Sequence, residues 1–316
     1  MRIRTTQLLE FVLLVVLGSF VVVAQDVALI STLKGSVSIK SASGQVTPAS
    51  IKAKLLPGDE VSTMKDASTT VLYYTGKEVN LAANKRYVVA QGTEEDSFLK
   101  RLGRVFSNLL WSSGSSRSML GATRKVGKEA SVSLRGVHPC MNVLRGNMLM
   151  FEWLDLRFVS ARRYELIVRK ADGSIVKRVT VQDTTLAAIT ISDTELAPGQ
   201  EYRWQVRDLG SEKGAGEIAF TVLSEDKIRK LDESLKQIDA ECSKDTSGFR
   251  RVLLRSLLYV EFDLMREAES SLSTLVQLKP DFAIGHEMLA EVYAKVGKLD
   301  QALTEQRIAS SLTDTE

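Results

Sequence analysis

Two histidines and two cysteines in 316 residues leave few places where side-chain chemistry beyond acid and base pairs could reside. His138-Pro139-Cys140 sets an imidazole and a thiol two residues apart. Those types ligate zinc or pair as base and nucleophile, but both chemistries need further groups, and none clusters near the triplet in the sequence. His286 falls within a helical pattern and reads as a packing or helix-surface residue. The acidic run Glu94-Glu95-Asp96 reads as a solvated cap, not as a general acid/base pair. The sequence has no HExxH, CxxC, phosphate-binding loop or GxSxG element. The chain is therefore expected to be non-catalytic, with no cofactor and no metal.

The elements that would carry a binding function are easier to see. Residues 1–24 form a targeting pattern: Arg2 and Arg4, an apolar run from Phe11 to Val23, then Ala24 before Gln25. The run is short for a membrane span. Cleavage near Ala24 and export are expected, an uncleaved anchor being the alternative. Either way the body lies outside the cytoplasm, in the periplasm or envelope, which disfavours nucleic acid as a partner. Cys140 and Cys242 are the one possible disulfide pair. A bridge between them is permitted in that compartment and is the favoured expectation, because free thiols are uncommon there.

Beyond the targeting segment the pattern divides into four parts. Residues 25–92 read as an all-β module: Val37 and Ile39 alternate with polar neighbours, and Ser43-Gly44, Pro57-Gly58-Asp59 and Thr75-Gly76-Lys77 mark turns. Residues 93–138 form a basic segment. Between Phe98 and Gly136, Lys100, Arg101, Arg104, Arg117, Arg124, Lys125, Lys128 and Arg135 stand against Glu129 alone, in a chain whose net charge is only +3. Phe98, Leu99, Leu102, Val105, Phe106, Leu109 and Leu110 recur at helical spacing. A basic amphipathic helix suits a membrane surface or acidic glycans; the favoured reading is that its apolar face packs on the β module while the basic face is solvated. Residues 139–223 carry strand patterns around the Ala171-Asp172-Gly173 turn and a Leu196-x-Pro198-Gly199-x-x-Tyr202-x-Trp204 element. Residues 224–316 turn helical, with an internal period of 34: Tyr259 recurs as Tyr293, Ala268 as Ala302, Leu275 as Ala309.

Three resemblances follow from these residues. Leu33, Gly35, Val37, Ile39, Leu55, Leu56, Gly58, Asp59, Val61, Thr63, Val71, Tyr73, Gly76, Val79, Leu81 and Val88 follow an order that resembles a FecR-type domain. That resemblance implies an extracytoplasmic role in protein contacts. The Leu-x-Pro-Gly-x-x-Tyr element resembles fibronectin type III or immunoglobulin-like sandwiches, which implies a corner role for Tyr202. The 34-residue period resembles tetratricopeptide repeats, with Gln306 a departure at a position where an apolar residue is common. That resemblance implies a concave face built from first helices, on which His286, Glu287, Glu291 and Lys295 are candidate partner-binding residues, while Met288, Leu289 and Tyr293 hold helices together. The helix over 224–240 would cap the stack.

The expectation is thus a multidomain chain, mainly β and then α, acting as an exported scaffold for protein or cell-envelope contacts. One alternative is a FecR-type membrane-anchored signalling regulator, disfavoured because few residues precede the apolar run. The other is a cell-wall or glycan-associated enzyme, disfavoured by the missing acid/base constellation.

Overall fold

A computed structural model describes residues 26–90, 97–111, 134–144, 148–155, 162–191, 195–210 and 214–313. The expected signal segment, and Arg124, Lys125 and Lys128 of the basic stretch, lie outside these.

The first module stacks two four-stranded antiparallel sheets. β1 (Ala28–Lys34), β4 (Lys54–Leu55), β6 (Ser68–Tyr73) and β7 (Glu78–Leu81) form one sheet, in the order β4-β1-β6-β7. β2 (Val37–Lys40), β3 (Val46–Pro48), β5 (Glu60–Thr63) and β8 (Arg86–Val88) form the other, in the order β3-β2-β5-β8. In β2 the buried and open positions alternate, as a strand covered on one face must. β1 and β6 do not alternate. Ala28, Ile30, Val71 and Tyr73 point into the module's own core, while Leu29, Leu72 and Tyr74 point the other way into a second apolar cluster. The first sheet is covered on both faces, and its strands are apolar at successive positions for that reason. Asp59 closes its turn by accepting the Leu56 N–H at 2.8 Å, the capping role expected of an Asp after Pro-Gly.

Helix α1 (Ser97–Trp111) follows, and then the sandwich. Its five-stranded sheet runs β10 (Met141–Val143), β16 (Ile218–Val222), β15 (Glu201–Asp208), β12 (Arg163–Lys170), β13 (Ile175–Gln182). Facing it is a three-stranded sheet, β14 (Leu186–Thr190), β11 (Met148–Asp155), β9 (Leu134–His138). The pairings are those of an immunoglobulin-like sandwich. Tyr202 makes the corner: its hydroxyl accepts from Ala197 N–H at 2.7 Å and donates to Glu195 O at 3.3 Å. One boundary differs from the sequence expectation. The sandwich begins before Pro139, because β9 pairs with β11 and Gly136 lies under the Trp204 ring, where a β-carbon would come within 3.0 Å of ring atoms.

Five helices complete the described chain: α2 (Glu225–Glu241), α3 (Phe249–Glu261), α4 (Met265–Leu278), α5 (Ala283–Val296) and α6 (Leu299–Thr313). From α3 to α5 and from α4 to α6 the helix starts, Phe249 to Ala283 and Met265 to Leu299, are both 34 residues apart. α2 packs on α3 through the buried Leu231 and Ile238. Leu272 of α4 is fully buried, whereas Gln306, its equivalent in α6, is half-buried. No helix among the described residues is long and apolar enough to cross a membrane.

Candidate functional site

The face on which partner binding was expected is occupied by the chain itself. Helix α1 packs against α3 and α5, the first helices of the two hairpins, and α5 also meets β1. Phe98, Leu99, Leu102, Phe106, Leu109 and Leu110 are buried there together with Leu29, Leu72 and Tyr74 of the β module and Leu253, Leu254, Leu257, Met288, Leu289 and Val292 of the helices. At about 1.5–3 kcal/mol per buried apolar side chain, six such residues supply on the order of 10 kcal/mol before ordering costs are subtracted. A solvated 15-residue helix is marginal by itself, so α1 owes its position to this burial. Phe106 meets Tyr74 edge-on, ring centroids 5.7 Å apart. Gly103 permits the approach, since a β-carbon there would lie 3.0 Å from that of Tyr74.

Polar contacts pin the same interface. Lys52 of the β module reaches both carboxylate oxygens of Glu287 at 2.7 Å. Lys279 meets Glu78 at 2.5 Å, and the Arg250 guanidinium donates to Thr75 O at 3.0 Å, beside Gly76 at the β6–β7 turn. Arg101 pairs with Glu261 at 2.8 Å. Three expected partner-binding residues are enclosed, Glu287 by this interface and His286 by the neighbouring helical turns. His286 is buried, with Nδ1 2.6 Å from Glu305 and Nε2 donating to Pro280 O at 3.0 Å. Glu287 is held by Lys52, and Glu291 is buried. Lys295 alone of the four stays exposed. Met288 and Leu289 are fully packed and Tyr293 partly so. In the basic set Arg101 is engaged, whereas Lys100 and Arg104 face solvent.

A second polar junction ties the sandwich to the helices. Lys298, its side chain 5% exposed, lies 2.8 Å from Glu152 of β11 and 2.7 Å from Glu269 of α4. His138 Nε2 is 3.1 Å from the other oxygen of Glu269. Asn142 donates to Phe262 O at 2.8 Å, and Trp204 Nε1 donates to Pro139 O at 2.7 Å. Burial pushes the Lys298 ammonium down, but Glu152 and Glu269 outweigh it and hold the group above its ordinary value. Burial also raises Glu269, yet hydrogen bonds and charge from His138 and Lys298 bring it below the usual carboxylate range.

Cys140 sits at this junction, its sulfur 3.8 Å from His138 Nδ1. Burial, with the Glu269 charge added and Lys298 opposing, pushes the thiol up to about 12, so the thiolate that nucleophilic chemistry requires is disfavoured. The expected disulfide is not present: both thiols are free. Their surroundings differ, Cys140 lying near Glu269 and Lys298, and Cys242 capping α2 near Arg250, Arg251 and Asp245. No group of three or more His, Cys, Asp or Glu that would hold a metal ion occurs among the described residues.

Sequence reasoning missed Lys52, Glu269 and Lys298. Each is a charged residue in a loop or helix whose partner lies far along the chain, and no local pattern marks such a pair.

No family model and no curated protein matches the chain. Among solved structures, a cell surface anchoring domain is 21% identical over 23% of this chain and 99% of its own, with a TM-score of 0.22. The dimeric latent PorU of Porphyromonas gingivalis is 11% identical over 66% of this chain, which spans 17% of PorU, with a TM-score of 0.23. Chicken CNTN1 FN1–FN3 domains are 10% identical over 64% of each chain, with a TM-score of 0.22. Scores this low identify neither a shared fold nor a shared function.

Proposed function

We propose that this is a non-catalytic exported protein of the cell envelope that holds protein-binding modules in one fixed arrangement. The observation that carries the reading is the continuous apolar cluster running from Leu29 and Tyr74 through α1 to α3, α4 and α5. A string of independent modules on flexible linkers would leave those faces polar. In this reading the first module is FecR-like and the helical hairpins are tetratricopeptide-like. The groove of the hairpins serves as an internal clamp on α1 and the β module, so a protein partner in the envelope meets surfaces other than the first helices. The sandwich is set against the hairpins by the Lys298 junction, which fixes its direction.

Affinity capture from crosslinked envelope extract tests this, comparing the intact chain with Phe106→Asp, which unlocks the clamp. The reading expects specific envelope proteins with the intact chain and their loss with the variant. Equal capture by both would show that fixed arrangement is irrelevant. Hydrolysis of cell-wall glycan by the purified chain would replace the reading with an enzymatic one.

A further inference from the structure

The solvent-facing side of α1 has a composition and a location that its packed side does not explain. Lys100, Arg104, Asn108 and Trp111 fall at steps of four, four and three residues, which places them in one stripe opposite the buried face. Trp111, at 39%, is the exposed one of the three tryptophans; Trp153 and Trp204 are fully buried. Neither Lys100 nor Arg104 has a carboxylate within ion-pair distance among the described residues.

The Trp111 end of the stripe lies where the described chain begins. Lys54 Nζ sits 4.6 Å from the centre of the Trp111 ring and 3.3 Å from Asp26, while Lys52 Nζ is 5.9 Å from the same ring. Tyr74 donates its hydroxyl proton to Asp26 at 2.6 Å. Lys52 is balanced by Glu287 and Lys54 shares Asp26, so the net positive charge of the corner comes from the stripe. The apolar run in the sequence ends at Val23, three residues before Asp26. At about 3.5 Å per residue the chain covers roughly 10 Å between them. A headgroup layer is roughly 5–8 Å deep on each side of the hydrocarbon. Whenever the apolar run occupies a bilayer, during export or as a retained anchor, Asp26 and the residues touching it therefore lie within the headgroup layer or at its outer edge. An exposed Trp with Tyr and Lys neighbours has the amphipathic chemistry of that layer.

We propose that Trp111, Lys54, Arg104 and Lys100 form the face this protein turns toward an anionic lipid surface. The indole sits among the headgroups and the two free cations of the stripe meet lipid phosphates. The face is distinct from the surfaces that would receive a protein partner, and its failure would leave the scaffold reading standing.

The test uses the full chain reconstituted into vesicles of phosphatidylcholine with phosphatidylglycerol, with and without lipids brominated near the glycerol end of the acyl chain. Bromine quenches tryptophan on contact, and only Trp111 is placed to be reached. The expected result is a loss of up to about a third of the emission, one emitter of three. Trp111→Phe should abolish it, and the double variant Lys100→Glu, Arg104→Glu should reduce it at least about twofold. Denaturation midpoints of the variants check that the fold is kept. Unquenched emission from vesicle-bound protein, quenching that persists in Trp111→Phe, or a full chain that vesicles do not retain would each overturn the proposal.

Discussion

Replacing Phe106 by Ala probes the clamp at its centre. Phe106, on α1, is 1% exposed, set edge-on against Tyr74 of the β module and in one apolar cluster with the helical hairpins. Truncating a fully buried Phe costs about 3–5 kcal/mol, from lost burial together with the cavity that remains. A Phe on a loosely docked helix would cost under about 1 kcal/mol, so the two situations separate cleanly. The assay is guanidinium unfolding in a Trp111→Phe background, where Trp153 and Trp204 report the sandwich alone and far-ultraviolet circular dichroism reports the helices. The sandwich has a core of its own, so its transition should move less than the helical one. The helical midpoint should fall by the equivalent of about 3–5 kcal/mol. A loss below about 1 kcal/mol, or an unmoved helical midpoint, would refute the reasoning that α1 is part of the core.

Four further expectations follow. Tyr202→Phe should lose about 1–2 kcal/mol from the sandwich transition, because it leaves the Ala197 N–H without the acceptor it has at 2.7 Å; an unchanged midpoint would show that the corner is dispensable. Lys298→Met should cost about 2–3 kcal/mol by leaving Glu152 and Glu269 facing one another's space, a figure discounted because both carboxylates are about one-fifth exposed. The same junction sets an acid response. A carboxyl lowered on folding stabilises the fold above its unfolded value near 4.5 and loses that contribution as pH falls through its lower folded value. Stability should therefore drop on acidification below about pH 4.5, and Glu269→Gln should flatten that part of the profile. The neighbouring Glu267, raised by burial, acts in the opposite sense above 4.5. Thiol titration of the denatured, unreduced protein should find two thiols per chain, with slow labelling of Cys140 in the folded state; none would restore the disulfide.

Much of the fold was legible because it is written locally. The alternation in β2, the turn around Asp172 and the 34-residue helical period each depend on neighbours in sequence, and each lies where it was read. The packing of the 97–111 helix on the β module was expected from its apolar face, and Phe106 does meet Tyr74 there, but the helical hairpins that share this cluster were not foreseen as part of the cover. The groove was misjudged for that reason. First-helix positions identified His286, Glu287 and Glu291 as a binding face, but Glu287 is held by Lys52, 235 residues away, and His286 by Glu305 of the next helix, neither of which the helical period reveals. The disulfide expectation rested on compartment and on parity of cysteines, neither of which brings two sulfurs together. The boundary at Pro139 failed because the cis His138–Pro139 bond lies within the sandwich, between β9 and β10, and does not separate modules. A deletion from Gly248 onward would accordingly strip the cover from Leu29, Leu72 and α1, so point variants are the better probes of the helical region.

The claim that the β module and the helical hairpins form one body turns most directly on Lys52 and Glu287, joined at 2.7 Å across 235 residues of sequence. A double-mutant cycle with Lys52→Ala, Glu287→Ala and the pair, read by denaturant unfolding, isolates their coupling from each residue's other contacts. Both side chains are largely shielded, at 26% and 13% exposure, and the account predicts a coupling of about 1–2 kcal/mol. Strict additivity of the two single substitutions would contradict it, because residues on independently moving modules have no interaction to lose.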